Sequence, residues 1–401
     1  MLLQRRDFLK QSALLALAPT VPGFLAQTAR AAKAQKDGRV LVVIQLDGGN
    51  DGINTVVPFA DAGYAKCRKV LRLPADRLIK VNDQVALHPS LADAGKLLER
   101  GKLAIVQGVS YPNPNRSHFR SMAIWQTARL DPEEHTGQGW LGRALDGAPK
   151  SATGDSAALL VGSGPPPVAV RGRRAVASAI ERPEDFALST GADPRRAMPR
   201  EEPADDLAAF VRRSMLDAYA TSDRLADAAR AKDSGARYPE TGLADRLRLI
   251  ARLLKAGFGT RVFYTLQPGY DTHNAQLQTH SSLLFELAGA LRAFLDDLAA
   301  SRLADRVAVL AFSEFGRTVQ ENGSAGTDHG TAGPIFLAGS RIKPGVIGAT
   351  PRLLDLDPRH GDLRMGIDFR RVYASVLEDW LGLPAREALA GKFERLGLFR
   401  G

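Results

Sequence analysis

The chain reads as an α/β protein with a mostly parallel central sheet, helices on both faces and a proline-rich insertion or cap. Three observations predict this. Apolar runs of strand length recur along the chain, stretches of helical periodicity lie between them, and the 44% hydrophobic content of 401 residues is enough for a large core. Strands alternating with helices in this way call for a parallel sheet covered on both sides.

The first strand lies in "GRVLVVIQLDGGNDG", a β-branched run ending at Asp47 and glycines. "SLADAGKLLERG" follows as a helix, then "GKLAIVQGV" at Gly101–Val109 as the second strand. Residues 150–240 break the alternation: "GSGPPPVAVRG" and "TGADPRRAMPREEPADD" are proline-rich and charged, and a polar helix is expected from about Pro203 to Lys232. "GLADRLRLIARLLKAG" is helical by its leucine spacing and leads to the third strand, "TRVFYTLQ" at Thr260–Gln267. The longest helix, "AQLQTHSSLLFELAGALRAFLDDLAASRL", precedes the fourth strand, "DRVAVLAFSEFG" at Asp305–Gly316. "GPIFLAG" is the fifth strand, and "DFRRVYASVLEDWLGL" is a closing helix.

Residues 1–34 stand apart as a twin-arginine signal peptide, leaving 35–401 as the folded domain. Arg5 and Arg6 precede an apolar run from Ala13 to Leu25 that carries Pro19 and Pro22, and "ARA" or "AKA" closes it at Ala31 or Ala34. The run falls short of the roughly 20 residues that span a membrane, so no stable insertion is expected after cleavage. The twin-arginine export machinery is the implied partner and the periplasm or exterior the implied location. The signal carries a net +4 (Arg5, Arg6, Lys10, Arg30 and Lys33 against Asp7), which leaves the mature part only mildly basic out of a total of +10. No basic run interleaved with aromatics occurs, so nucleic-acid binding is not indicated. The single cysteine, Cys67, allows neither an internal disulfide nor a thiolate metal site.

Candidate chemistry collects at strand ends. Asp47 ends the first strand, Asp271 and His273 in "PGYDTHNAQ" follow the third, Glu314 in "SEFGRT" ends the fourth, and Asp328 and His329 in "GSAGTDHGTA" precede the fifth. Ligands of open α/β sheets bind beyond the carboxyl ends of the strands. This donor set is oxygen and imidazole nitrogen, suiting one or two divalent ions: zinc, manganese, calcium or magnesium. Asp271 and His273, two apart, point the same way in an extended loop. The adjacent Asp328 and His329 call for a kink that flanking glycines permit. Each residue also has a plain structural role open to it: Asp271 as a helix cap near Asn274, Glu314 as a partner of Arg317.

Ser117 in "YPNPNRSHFRSMAIWQTA" begins a helix, where free N–H groups and the dipole suit an anion. It is either a nucleophile or an ordinary N-cap. Arg116, His118, Arg120 and Arg317 are candidates for anion contact. Asn50 and Asp51 lie beside Asp47. His88 reads as a helix opener, His280 as structural or solvated on the long helix, His135 as a loop residue, His360 as a late-loop candidate ligand, and the three tryptophans as core.

The stretches "VIQLDGGNDGINTVVP", "AIVQGVSYPNPNRSHF", "GWLGRALDG", "YDTHNAQ", "SEFGRTVQENGSAGTDHGTAG" and "DFRRVYASVLEDWLG" resemble the exported bacterial family known as domain of unknown function 1501. That family is similar in turn to the alkaline phosphatase and sulfatase superfamily, with metals at the carboxyl edge of an α/β sheet. The resemblance implies metal roles for Asp47, Asp271, His273, Asp328 and His329 and a nucleophile at Ser117, with a small anionic phosphate or sulfate ester as substrate. The superfamily spaces its other Asp and His ligands more widely than Asp271 and His273, and only His360 is available for its late histidine. A non-catalytic exported metal- or anion-binding protein on a degenerate hydrolase fold is the alternative. A metal-dependent mutase or transferase is a third.

Mass spectrometry of the exported protein is expected to show a new N-terminus after Ala31 or Ala34, and Arg5→Lys with Arg6→Lys to block export. An intact N-terminus, or normal export of the double variant, refutes the signal.

Overall fold

Alternation along the first strand, β1 (Val40–Asp47), sets the layering. Val40, Val42, Ile44 and Leu46 enter one buried cluster, and Leu41 and Val43 enter another. The strand is therefore buried on both faces, which is why it reads as a continuous apolar run. The computed structural model describes residues 38–131, 134, 136–148, 155–175, 177–181, 211–212 and 235–400. The proposed signal, His135 and nearly all of the polar helix expected at 203–232 lie outside them.

On one face pack α1 (Ala92–Glu99), α4 (Gly242–Lys255) and α5 (Gln276–Ala300). In α4 the buried Leu243, Leu247, Ile250 and Leu254 recur at three- and four-residue spacing, one stripe of a helix. In α5 Leu284, Leu287, Leu291, Phe294 and Leu298 do the same. On the other face lie α2 (His118–Thr127), α3 (Trp140–Asp146) and α6 (Phe369–Ser375), which continues as a π-helical turn over Val376–Leu381. Asp368 caps α6 by accepting from the Arg370 amide at 2.9 Å. Trp125, Trp140 and Trp380 are buried on this side, as expected of core residues.

The sheet has nine strands among the described residues and is mixed, mostly parallel. The predicted runs form β1, β2 (Leu103–Ser110), β5 (Val262–Pro268), β6 (Val307–Phe312) and β7 (Gly333–Ala338). Four shorter strands complete it: β3 (Ala158–Val161), β4 (Ala177–Ile180), β8 (Gly345–Ile347) and β9 (Ile367–Asp368). The order is β8-β2-β7-β6-β1-β5-β3-β4, with β9 beside β2. Part of the segment read as an insertion or cap is thus sheet: β3 lies parallel to β5, and β4 parallel to β3. Its four-residue apolar run "ALLV" was too short to stand out beside the prolines that follow.

Register explains where the chemistry gathers. β1 lies parallel to β5 and β6, with Asp47 level with Pro268 and Gln45 with Phe312, so the chain leaves all three strands at one edge. β7 runs antiparallel to β6 and β2, because the connection from Ser313 to Ala332 contains no crossover helix and returns at the edge it left. β2 therefore runs with β1, and its exit carries Ser117 and His118 to that same edge.

Beneath this edge Asp51 and Arg68 form a fully buried ion pair at 2.6 Å. Arg68 also donates to the carbonyls of Val319 and Thr318, and Asp51 caps the short helix Gly52–Thr55. Burial alone would raise the Asp51 carboxyl, but the charge and hydrogen bonds of Arg68 bring it down to about 2. Removing one partner of such a pair strands a buried charge. Arg68→Ala is expected to cost about 3–5 kcal/mol in urea unfolding; a loss below about 1 kcal/mol, the range of exposed pairs, refutes that assignment.

Candidate functional site

His118, the first residue of α2, has its Nδ1 2.8 Å from Glu314 Oε1. The helix is fastened to the end of β6 by Ser121, which donates to the Glu314 carbonyl at 2.6 Å and accepts from the Tyr111 hydroxyl at 3.0 Å. Glu314 itself is buried; its Oε1 also accepts from the Gly48 amide at 3.0 Å, and its Oε2 from the Ser313 hydroxyl at 2.9 Å.

Asp271 is the meeting point. Its Oδ1 lies 3.4 Å from His118 Nε2, 3.0 Å from His273 Nε2 and 3.2 Å from His329 Nε2. His273 and His329 approach each other at 3.0 Å through their Nε2 atoms. The other nitrogens point outward: His273 Nδ1 is 3.1 Å from Asp328 Oδ1, and His329 Nδ1 is 2.7 Å from the Arg116 carbonyl oxygen. One donor atom each from His118, Asp271 and His329 lies within 4.8 Å of the others, close enough to hold a metal ion.

Electrostatics keep Asp271 ionised. Burial pushes its carboxyl up, but hydrogen bonds from Arg317 and His329 and the Arg317 charge bring it down to about 2. His118 is raised, first by its bond to Glu314, whereas burial lowers His329. Hydrogen bonds from Asn322 and His273 lower Asp328.

The loop carrying Asp328 and His329 is shaped by close approach of backbone. Its glycines were expected to permit a kink, yet Gly326 and Gly330 keep ordinary φ values. Instead, a Cβ on Gly326 would stand 2.2 Å from the His273 carbonyl carbon, and one on Gly330 would stand 2.4 Å from that of Arg317. His329 forms an antiparallel bridge with Arg317. Its neighbour Asp328 consequently faces the other way and meets His273 from outside.

The remaining predicted residues separate. Asp47 accepts from Gln45 Nε2 at 3.0 Å, and burial followed by the charge of Glu314 raises its carboxyl. Arg317 is buried and fully occupied by protein acceptors, Asp271 among them at 2.6 Å, so it faces the protein rather than a ligand. Ser117 and Arg120 are exposed. Ser117 occupies the N-cap position of α2, but its hydroxyl makes no capping bond. Asn50 turns inward to Thr55 and His280, and burial holds the His280 ring down to about 3. His88 accepts from the Ser90 amide and opens a short helical turn, and His360 bonds Asp357. His118 was read only as an anion-holding flank; its place on the exit of β2 was the signal for a larger part.

The chain belongs to the family described as protein of unknown function (DUF1501), whose model matches residues 38–389. No curated protein matches it. Similar solved structures include the lipoteichoic acid synthase LtaP from Listeria monocytogenes, at 10% identity and TM-score 0.35, covering 82% of this chain and 75% of that one. The PsFucS1 sulfatase from Pseudoalteromonas sp. has 10% identity and TM-score 0.36, with coverage of 79% and 66%. The phosphonate monoester hydrolase from Silicibacter pomeroyi has 13% identity and TM-score 0.36, with coverage of 90% and 76%.

Asp362 supports this edge from behind. Its Oδ1 accepts from the amides of Val319 and Leu363, while its Oδ2 lies 3.6 Å from Arg116, whose carbonyl holds His329. Burial pushes the carboxyl up to about 6. A folded-state value above the unfolded one near 3.9 means that its contribution is fullest below about pH 4 and is lost as pH rises through about 6. Asp362→Asn is expected to remove roughly 2–3 kcal/mol of stability difference between those limits. Urea unfolding at pH 4 and pH 7 checks this; an identical decline in both proteins refutes it.

Proposed function

We propose that the protein is an exported, metal-dependent hydrolase of phosphate or sulfate esters with Ser117 as nucleophile. The observation that carries the reading is the pairing of Ser117, whose hydroxyl is free of capping duty, with the adjoining His118, whose Nε2 belongs to the donor cluster around Asp271. The imidazole and carboxylate donors, without thiolate, fit a divalent ion of the zinc or manganese class. Such an ion, when bound, lowers the pKa of a nearby hydroxyl and offsets charge developing on the ester.

The protein's own groups supply the rest. Ser117 stands at the positive end of the ten-residue helix α2, where an ester anion is favoured. Arg120, exposed three residues further on, is the free cation for its non-bridging oxygens. Asp47, half-buried beside Glu314, lies at the same edge as a carboxylate available to a metal or a proton. Export through the twin-arginine machinery follows from the signal in residues 1–34 and delivers a folded protein to the periplasm or exterior. Among the described residues no helix is long and apolar enough to cross a membrane.

Ser117→Ala is expected to lower hydrolysis of aryl phosphates or sulfates by about 10³-fold or more, since the covalent step is removed. The melting temperature should stay the same, because no capping bond is lost. Retained turnover refutes the nucleophile. A wild-type protein inert with zinc, manganese, magnesium and calcium refutes the enzyme in favour of an exported binder.

A further inference from the structure

We propose that Asn322 is a site of spontaneous modification. The Gly323 backbone nitrogen displaces its side-chain amide, and the aspartate or isoaspartate left behind unfastens the His273 loop from the Asp328 loop. Nothing in this depends on what the cluster around Asp271 binds or hydrolyses.

Of the seven asparagines in the chain, only Asn322 precedes a glycine. A side chain on the following residue ordinarily shields the main-chain nitrogen, and glycine has none. Gly323 is exposed, and a Cβ there would meet nothing within 4 Å. Its amide donates no hydrogen bond among the described residues, so the nitrogen is free to attack. The electrophile is already folded toward it. Asn322 Oδ1 accepts from the Ser324 amide at 2.9 Å, which bends the side chain back over the Gly323 peptide. The Gly326 amide donates to the same oxygen at 3.1 Å. Two N–H groups therefore point at the atom on which negative charge develops during attack, as in an oxyanion hole.

In the first step the Gly323 nitrogen bonds to Asn322 Cγ and closes a five-membered succinimide. The bond from Cγ to Nδ2 breaks. The proton lost by the Gly323 nitrogen passes through solvent to Nδ2, which leaves as ammonia. Water then adds to one of the two ring carbonyls. Opening at one gives aspartate, and at the other isoaspartate, whose main chain runs through the former side chain. The consequence lies in Nδ2. It donates to the His273 carbonyl at 2.9 Å and to Asp328 Oδ1 at 3.2 Å. A carboxylate in its place has no donor, and three acceptors then face one another without a proton between them. Isoaspartate also lengthens the main chain by one carbon. That change falls beside the bonds that tie the two loops: the Ala275 amide to Ser324, the Gln276 amide to Ala325 and the Thr327 amide to Thr272.

The test ages the full mature protein in mildly alkaline buffer at physiological temperature. Its peptides are mapped by mass spectrometry, with enzymatic methylation to detect isoaspartate. Conversion is expected at Asn322, as a mixture containing isoaspartate, with the other asparagines intact. Gly323→Ala should reduce conversion to their level and keep the fold, because the added Cβ enters open space. Hydrogen exchange reads the consequence. In Asn322→Asp the Ala275, Gln276 and Thr327 amides should exchange faster than in the wild type, while those of β1 stay the same. An Asn322 that keeps its amide in the folded protein, while the urea-unfolded chain loses it, overturns the site. Loss spread evenly over all the asparagines does so too. Aspartate without isoaspartate, or conversion of Gly323→Ala at the wild-type rate, overturns the attack by the backbone nitrogen. Unchanged exchange in Asn322→Asp overturns the unfastening. If Gly323→Ala fails to fold by circular dichroism, the isoaspartate yield of the wild type decides the mechanism. If Asn322→Asp fails, exchange in the aged wild type decides the consequence.

Discussion

The edge of the sheet is held together by one guanidinium. Arg317 donates from Nε to the Gly49 carbonyl at 2.8 Å, from Nη1 to that of Thr327 at 3.0 Å, and from Nη2 to those of Tyr270 and Gly48 and to Asp271. It thereby joins the exits of β1 and β5 to the loop returning into β7. Buried carbonyls at strand ends have no ladder to bond with, and water does not reach them here, so the planar, always charged fork of an arginine is what satisfies them together. Lysine, a point charge with three donors, could not span the same set. The site's precision follows from this, because Asp271 is fixed by the same group that fixes the backbone around it.

The five main strands and the main helices other than α3 were legible because their causes are local. Apolar runs ending at Asp47 or Phe312, and leucines spaced along α4 and α5, need only their own residues to be recognised. The strands β3, β4, β8 and β9 were not legible: two to four residues paired at the flanks of a sheet leave no periodicity to count. Their existence depends on neighbours supplied from elsewhere in the chain.

Candidate residues were legible as an edge and not as an arrangement. Asp271, His273 and His329 could be placed together from strand order alone. That Asp328 would support His273 from behind, and that Arg317 would be consumed by carbonyls, depends largely on contacts between loops over forty residues apart. His118 was hidden by Ser117, since a serine at a helix start invites a chemical role more readily than the histidine after it. Its partner Glu314 is far away in sequence, and no local pattern announces the bond.

The donors converging on Asp271 come from three connections, after β2, after β5 and before β7, and the third reaches the others only when β7 has joined the sheet between β2 and β6. The cluster is therefore a coincidence detector for folding. A chain halted before Gly333 can contain every one of these side chains and still lack the strand that brings His329 back to the edge. The cluster around Asp271 is thus assembled only once β7 has closed the sheet between β2 and β6.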